Sequence, residues 1–267
     1  MNPFIRINRL TCAYRKTTVI EDLNFTVPKG EFFIIIGPNG SGKTTLAKSM
    51  AGLLPAASGE IILEGHPLPH YKKRELAQKV AYVAQNSGAD SPFTVRETVL
   101  MGRAPYLGIL GVEDQKDLAL TEQAMRFTGI DQLADRRLTT LSGGERQRTH
   151  IARAICQQPE VIILDEPTAS LDLAHQLRIM ELMAALKKSR HTTVVMVSHD
   201  INLAAMFADR LLLLVNGSKQ VCGPPTLVIK EQILEKAYRC GIRVDASPYG
   251  CWPRVNLIRQ GVEGCER

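Results

Sequence analysis

A chain of 267 residues, 45% of them hydrophobic and only 5% aromatic, has room for one large domain or two small ones and the apolar content of an ordinary globular protein. Its net charge of +6, with a pI near 9.0, comes from scattered rather than blocked charges, which reads as a solvated surface and not as a nucleic-acid or membrane-binding face. No apolar run approaches the roughly 18 residues that a membrane-spanning helix needs. The N-terminal residues lack the apolar core of a signal peptide. The expectation is a cytosolic protein, or one docked to a membrane through another chain. Cys12, Cys156, Cys222, Cys240, Cys251 and Cys265 form no C-x-x-C pair, so free thiols are expected rather than zinc ligands or disulfides.

In chain order, Phe4 to Arg9 and Val19 to Val27 alternate apolar and polar and predict two antiparallel strands joined across residues 15–18. Phe32 to Ile36 is a short, unbroken apolar run, as in a strand buried on both faces. Gly59 to Leu63 and Val80 to Val83 predict further strands, with a helix around Lys72 to Ala77 between them. From Ser91 to Gln158 the spacing turns helical, over Val95 to Met101, Glu113 to Thr128 and Glu145 to Cys156, with Gly and Pro between. Strand signals return at Val161 to Leu164, Thr192 to Val197 and Arg210 to Val215, separated by helices at Ala174 to Lys188 and Asn202 to Phe207. Strands alternating with helices imply a mainly parallel sheet covered on both faces. The tail holds a short strand, a helix around Lys230 to Tyr238 and an end containing Cys and Pro.

The run Gly37-Pro38-Asn39-Gly40-Ser41-Gly42-Lys43-Thr44-Thr45 fits the phosphate-binding pattern G-x-x-x-x-G-K-[ST] and lies between a predicted strand and a predicted helix. Glycines let successive backbone N–H groups turn inward as an anion nest, and the helix start adds unpaired N–H groups. Lys43 is expected to reach the β- and γ-phosphates of a nucleotide, and Thr44 to hold Mg²⁺ through its hydroxyl.

The apolar strand at Val161 ends in Asp165-Glu166. Ligands of open α/β sheets sit beyond the carboxyl ends of the strands, so both carboxylates are expected to face the nucleotide. Asp165 suits Mg²⁺, directly or through water. Glu166 suits a general base or a water-orienting group. Leu141-Ser142-Gly143-Gly144-Glu145 reads two ways: as a capping box, with Ser142 the N-cap and Glu145 three residues on, or as a second phosphate-binding helix start.

With those residues in place, the chain resembles the ATPase subunit of ABC transporters over nearly its whole length. Leu141 to Glu145 is similar to the family signature, Val161 to Glu166 to its Walker B strand, Ser170-Leu171-Asp172 to its D-loop, His199 to its switch histidine and Gln85 to its Q-loop glutamine. Tyr14 stands where the family places an aromatic residue that stacks on adenine. The resemblance implies an α/β P-loop core with an antiparallel β portion, a helical subdomain over 85–158, core segments at 1–84 and 159–240, and a tail from 241 to 267. It implies ATP and Mg²⁺ as cofactors, with Thr44, Asp165 and Gln85 toward the metal, and Glu166, His199 and Gln85 in catalysis. It implies that Ser142, Gly143 and Gly144 contact ATP held on the P-loop of a second copy. The implied partners are a second ATPase subunit, two transmembrane permease subunits and, indirectly, a substrate-binding protein, with no nucleic acid. The implied place is the cytoplasmic face of the membrane.

Finer segments, Thr94 to Val99, Met101 to Tyr106, Leu171 to Gln176 and His199 to Ala204, resemble importers of iron–siderophore, haem and cobalamin. The implied function is ATP hydrolysis driving import of such a cargo. The alternatives are another cargo (a metal ion, a polar solute, or export) and an ABC-type ATPase acting on DNA or ribosomes; the latter would carry long heptads or a second P-loop, and neither is present. The stretch from Ser91 to Tyr106 is further expected to dock the membrane subunit, with Arg103 and Tyr106 sensitive to substitution and Phe93, Leu107 and Ile109 as apolar contacts.

Overall fold

The computed structural model describes residues 3–15, 17–85, 92–108 and 111–258. The chain opens with β1 (Ile5–Tyr14), β2 (Thr17–Val27) and β3 (Phe32–Ile36), then α1 (Lys43–Met50), β4 (Ser58–Leu63) and the two-residue β5 (His66–Pro67). There follow α2 (Lys73–Lys79), β6 (Val80–Val83), and three consecutive helices, α3 (Val95–Leu100), α4 (Gln115–Thr128) and α5 (Gly143–Cys156). The second half alternates as β7 (Val161–Asp165), α6 (Leu173–Arg190), β8 (Thr193–Val197), α7 (Ile201–Phe207), β9 (Arg210–Val215) and β10 (Ser218–Gly223). It ends with α8 (Pro225–Val228), α9 (Glu231–Tyr238), β11 (Ile242–Ala246) and β12 (Pro253–Leu257).

Two sheets organise these elements. The larger has the order β10-β9-β3-β8-β7-β6; β9, β3, β8, β7 and β6 are mutually parallel, and β10 runs antiparallel along one edge. The smaller, of order β2-β1-β4-β5, is antiparallel. Side chains alternate across a strand, and the central strands distribute them between two cores. Phe32, Ile34 and Ile36 face the helical layer, with Ile162, Leu164, Val194, Met196, Leu211 and Leu213. Phe33 and Ile35 face α1 and the antiparallel sheet, with Ile163, Val195, Val197, Leu212 and Leu214. Phe33 and Phe25 stack at 5.5 Å between ring centroids and lock the two sheets together.

The chain end folds beyond its sequence signal. Residues 242–257 form a hairpin of β11 and β12 where alternation gave only an unassigned tail. Side chains hold both its edges. Asn202 on α7 donates to the Val255 carbonyl at 3.1 Å and accepts from the Val255 N–H at 2.8 Å. On the other edge Glu231 and Glu235 of α9 accept from the N–H groups of Val244 and Ile242.

One expectation is corrected by packing. Arg103 is 3% exposed. Its guanidinium pairs with Asp117 at 2.8 Å, donates to the Cys156 carbonyl at 2.9 Å and lies 3.9 Å over the Tyr106 ring. Tyr106 in turn donates to the Gln157 carbonyl. Arg103 therefore clamps α4 to the end of α5 instead of facing a partner, while Tyr106, half-buried, ties its own segment to the residue after α5. Of the apolar contacts expected there, Phe93 is exposed, and Ile109 lies outside the described residues.

Candidate active site

β3 ends at Ile36 and the chain turns through residues 37–42 into α1. Gly42, the N-cap of α1, has φ 98°, a left-handed conformation that disfavours any residue with a Cβ; a Cβ there would also press on the Val19 carbonyl at 3.2 Å. Lys43 is buried and folds back, donating from Nζ to the Gly37 and Pro38 carbonyls, each at 2.9 Å. Burial pushes its pKa down, while the carboxylates of Glu166 and Asp165 raise it. The loop thus holds a cation on two neutral carbonyls that a phosphate would replace as acceptor.

β7 is parallel to β8, and its carboxyl end meets α1. Asp165 is 2% exposed. One carboxylate oxygen accepts from the Thr44 hydroxyl at 3.0 Å and the other from the Tyr82 hydroxyl at 2.9 Å. Burial, then the charge and hydrogen bond of Asp165, push the Tyr82 phenol up, so it stays a donor. Glu166 has φ 51°, a conformation costing a non-glycine residue about 1 kcal/mol. That turn presents its carboxylate to two side chains from other loops. Gln85 donates to one oxygen at 2.7 Å, and His199 Nε2 contacts the other. A cleft of about 460 Å³ is bordered by Val19, residues 39–45 of the loop, Gln85, Glu166 and His199. The fold thus gathers five separate segments of the chain around one cleft.

The remaining expected residues lie elsewhere. Tyr14 is 44% exposed at the turn between β1 and β2; Val19, not Tyr14, borders the cleft. Ser142, Gly143 and Gly144 do not border it. The capping box forms: the Ser142 N–H donates to Glu145 at 2.8 Å and the Glu145 N–H donates back to the Ser142 hydroxyl at 3.3 Å. The backbone bond from Ser142, then its hydroxyl, hold the Glu145 carboxyl below the usual range. The box consumes one end of the motif and leaves the Gly143 and Gly144 N–H groups at the helix start, where an anion can be received.

Two contributors were missed by sequence reasoning. Tyr82 reads as an ordinary alternating strand residue, and nothing local marks its bond to Asp165. His175 accompanies the D-loop: it pairs with Asp172 at 2.8 Å, and its ring fills the space where a Cβ on Gly144 would stand. Only the fold brings residues 144 and 175 together.

A phosphate loop after one strand, with a fixed acid pair at the carboxyl end of another strand of the same sheet, defines a P-loop ATPase. The family model described as ABC transporter matches residues 20–169. The chain is 37% identical over 245 residues to the achromobactin transport ATP-binding protein of Dickeya dadantii, covering 92% of this chain and 91% of that one. It is 38% identical over 240 residues to the ferric enterobactin transport ATP-binding protein of Escherichia coli, covering 89% of each. Among solved structures it resembles a metal-chelate-type ABC transporter in an inward-facing conformation, at TM-score 0.86 and 27% identity, covering 97% of this chain and 99% of that one. It also resembles a dimeric ATP-binding cassette with ADP and phosphate bound, at TM-score 0.73 and 27% identity, covering 82% of this chain and 98% of that one. The chain belongs to the ATP-binding subunits of ABC transporters: it binds and hydrolyses ATP. Among the described residues no helix is long and apolar enough to cross a membrane.

Proposed function

We propose that this ATPase powers import of an iron chelate or haem-type cargo, working as a homodimer on the cytoplasmic face of two permease subunits that receive cargo from a binding protein. The observation that carries the hydrolytic half is the Glu166 carboxylate held between Gln85 and His199 beside the P-loop. The cargo half rests on the relatives above, one of them a ferric enterobactin transport protein, together with the segments at 94–106 and 171–176.

In this reading Lys43 moves from the Gly37 and Pro38 carbonyls to the β- and γ-phosphates. Glu166 takes a proton from the attacking water; His199 and Gln85, each on one of its oxygens, fix the carboxylate's direction. The donor set fits Mg²⁺: Thr44 and Asp165 already bring two hard oxygens within 3.0 Å of each other, and Tyr82 fixes the second Asp165 oxygen. Thr44 and Asp165, with Gln85, would hold the ion, which when bound neutralises phosphate charge. Tyr14 is assigned to adenine, and Ser142, Gly143 and Gly144 to the γ-phosphate on the facing copy. Residues 85–158 form the helical subdomain, and the exposed Phe93 and Met101 are its apolar contacts with the permease.

Reconstitution with the permease partners tests this reading. Vesicles containing the complete transporter are expected to accumulate a ferric siderophore or haem only with ATP, and to stop when Lys43→Ala is introduced. ATP-driven uptake of a different cargo class with no uptake of iron chelates would overturn the cargo assignment.

A further inference from the structure

A second hollow lies behind the P-loop, between β10 and α9, with a volume of about 890 Å³, well inside the range of small-molecule sites. Its apolar wall is Val215, Val221, Ile233, Ala237 and the ring of Tyr238. Its polar groups are the amides of Asn216, Gln220 and Gln232 and the cations of Lys236 and Arg239; no carboxylate borders it.

The charge is sorted by the helix. On α9, Glu231 and Glu235 lie four residues apart on one face and are spent on the N–H groups of β11. Gln232, Lys236 and Arg239 fall on the other side, toward the hollow. Neither Lys236 nor Arg239 has an ion pair among the described residues. Two free cations at the rim of an apolar hollow suit a small anion with an aliphatic or aromatic body.

The hollow also touches the nucleotide site from behind. Pro38 borders it, and the carbonyl of the same residue holds Lys43. The Tyr238 hydroxyl is sealed from solvent without a well-formed hydrogen bond. Burial pushes its pKa up to about 12, against a smaller downward pull from the Gly37 N–H beside it. The Gly37 and Pro38 carbonyls that hold Lys43 thus belong to the same turn that adjoins Tyr238.

We propose that the hollow between β10 and α9 binds a small amphiphilic anion, and that Pro38 and Tyr238 couple its occupancy to nucleotide binding. Coupling of this kind is reciprocal: each ligand changes the other's affinity by the same factor. The site stands apart from the cargo reading, since it uses none of the residues that reading invokes beyond the loop itself.

The test uses the purified full chain and 8-anilinonaphthalene-1-sulfonate, an anionic aromatic dye, titrated by fluorescence with and without a saturating non-hydrolysable ATP analogue. Saturable one-site binding is expected. Lys236→Glu with Arg239→Glu is expected to weaken it tenfold or more, and Lys236→Gln with Arg239→Gln by several-fold. Both positions are exposed, and unchanged thermal melting would verify the fold. Dye affinity within twofold of the parent in both variants would overturn the site. The nucleotide analogue is expected to change dye affinity at least threefold, and Tyr238→Phe to bring that factor toward one while each ligand still binds alone. A factor of one in the parent chain would overturn the coupling, and complete mutual exclusion would place the dye in the nucleotide cleft and overturn the site. The analogue's own binding, measured in the same titrations, reports separately on the ATPase reading.

Discussion

Glu166 owes its position to one left-handed backbone turn and two neighbours. Replacement by Gln keeps the shape of the site and removes the base. Hydrolysis is then expected to fall by roughly 10²- to 10⁴-fold, with ATP affinity preserved because Lys43, Thr44 and Asp165 are untouched. Phosphate-release kinetics and nucleotide binding on the same protein separate the two effects; wild-type turnover would remove Glu166 as base. A second prediction concerns Asp117. Burial alone would raise its pKa, but the Arg103 hydrogen bond, the Asp114 N–H and the Arg103 charge together hold it below the usual carboxylate range. A depressed folded pKa means that the pair stabilises the fold above the unfolded value of about 3.9, and that this contribution fades as pH falls from there through the lower folded value. Asp117→Asn is expected to flatten that acid limb. Arg103→Met, which strands a buried carboxylate, is expected to cost about 3 to 5 kcal/mol at pH 7. Urea unfolding across pH 2.5 to 7, as an order-of-magnitude range around that carboxylate pKa, checks both.

Among the elements, β3 is tightly constrained. All five of its residues are buried, it is hydrogen-bonded on both sides by β8 and β9, and it aims the P-loop. The hairpin of β11 and β12 is the contrasting case, because much of it is exposed and its register against the body depends on Asn202, Glu231 and Glu235. Asn202→Ala removes both hydrogen bonds to Val255. It is expected to free the hairpin without unfolding the core: limited proteolysis should cut between 241 and 258 at least several times faster, while the main melting transition moves by no more than a few degrees, as suits a local opening. Loss of the whole fold would show that the hairpin is integral to the core.

At the scale of the molecule, the chain carries one P-loop and one signature, and the signature does not border its own cleft. The proposed homodimer resolves this by facing each P-loop with the partner's Ser142 to Gly144, an isologous arrangement in which one surface serves both copies. Mixing Lys43→Ala with Ser142→Arg tests the sharing. Each homodimer lacks a working site, but the mixed dimer has one composite site with both halves intact. Activity of the mixture above that of either variant alone is the expected outcome; no recovery would mean that the sites are not shared in trans or cannot work singly. Light scattering of Glu166→Gln with ATP and then with ADP provides the companion measurement, the dimer being expected only with ATP.

Periodicity and motif were enough to locate the parallel strands, most helices and the phosphate loop, because each rests on local rules: alternation in a pleated strand, apolar recurrence on a helix face, glycine at a left-handed turn. They also indicated which residues to watch, since Lys43 and Thr44 open the helix after the loop and Asp165 and Glu166 stand at the end of a strand, places where ligands bind. They did not reveal which of these residues touch. Tyr82 on Asp165, Gln85 and His199 on opposite oxygens of Glu166, and His175 against Gly144 are pairings across long sequence separations, created only when strands take their order in the sheet. The same reason misled the reading of Arg103, expected from its importer-like segment to face the membrane subunit, until Asp117 and the Cys156 carbonyl were brought beside it. The terminal hairpin was hidden because side chains of α7 and α9, rather than a sheet of its own, complete its edges. The sequence by itself determined the elements and the chemistry available to them; tertiary packing decided which groups meet, because hydrogen bonds and ion pairs depend on positions that no local pattern encodes.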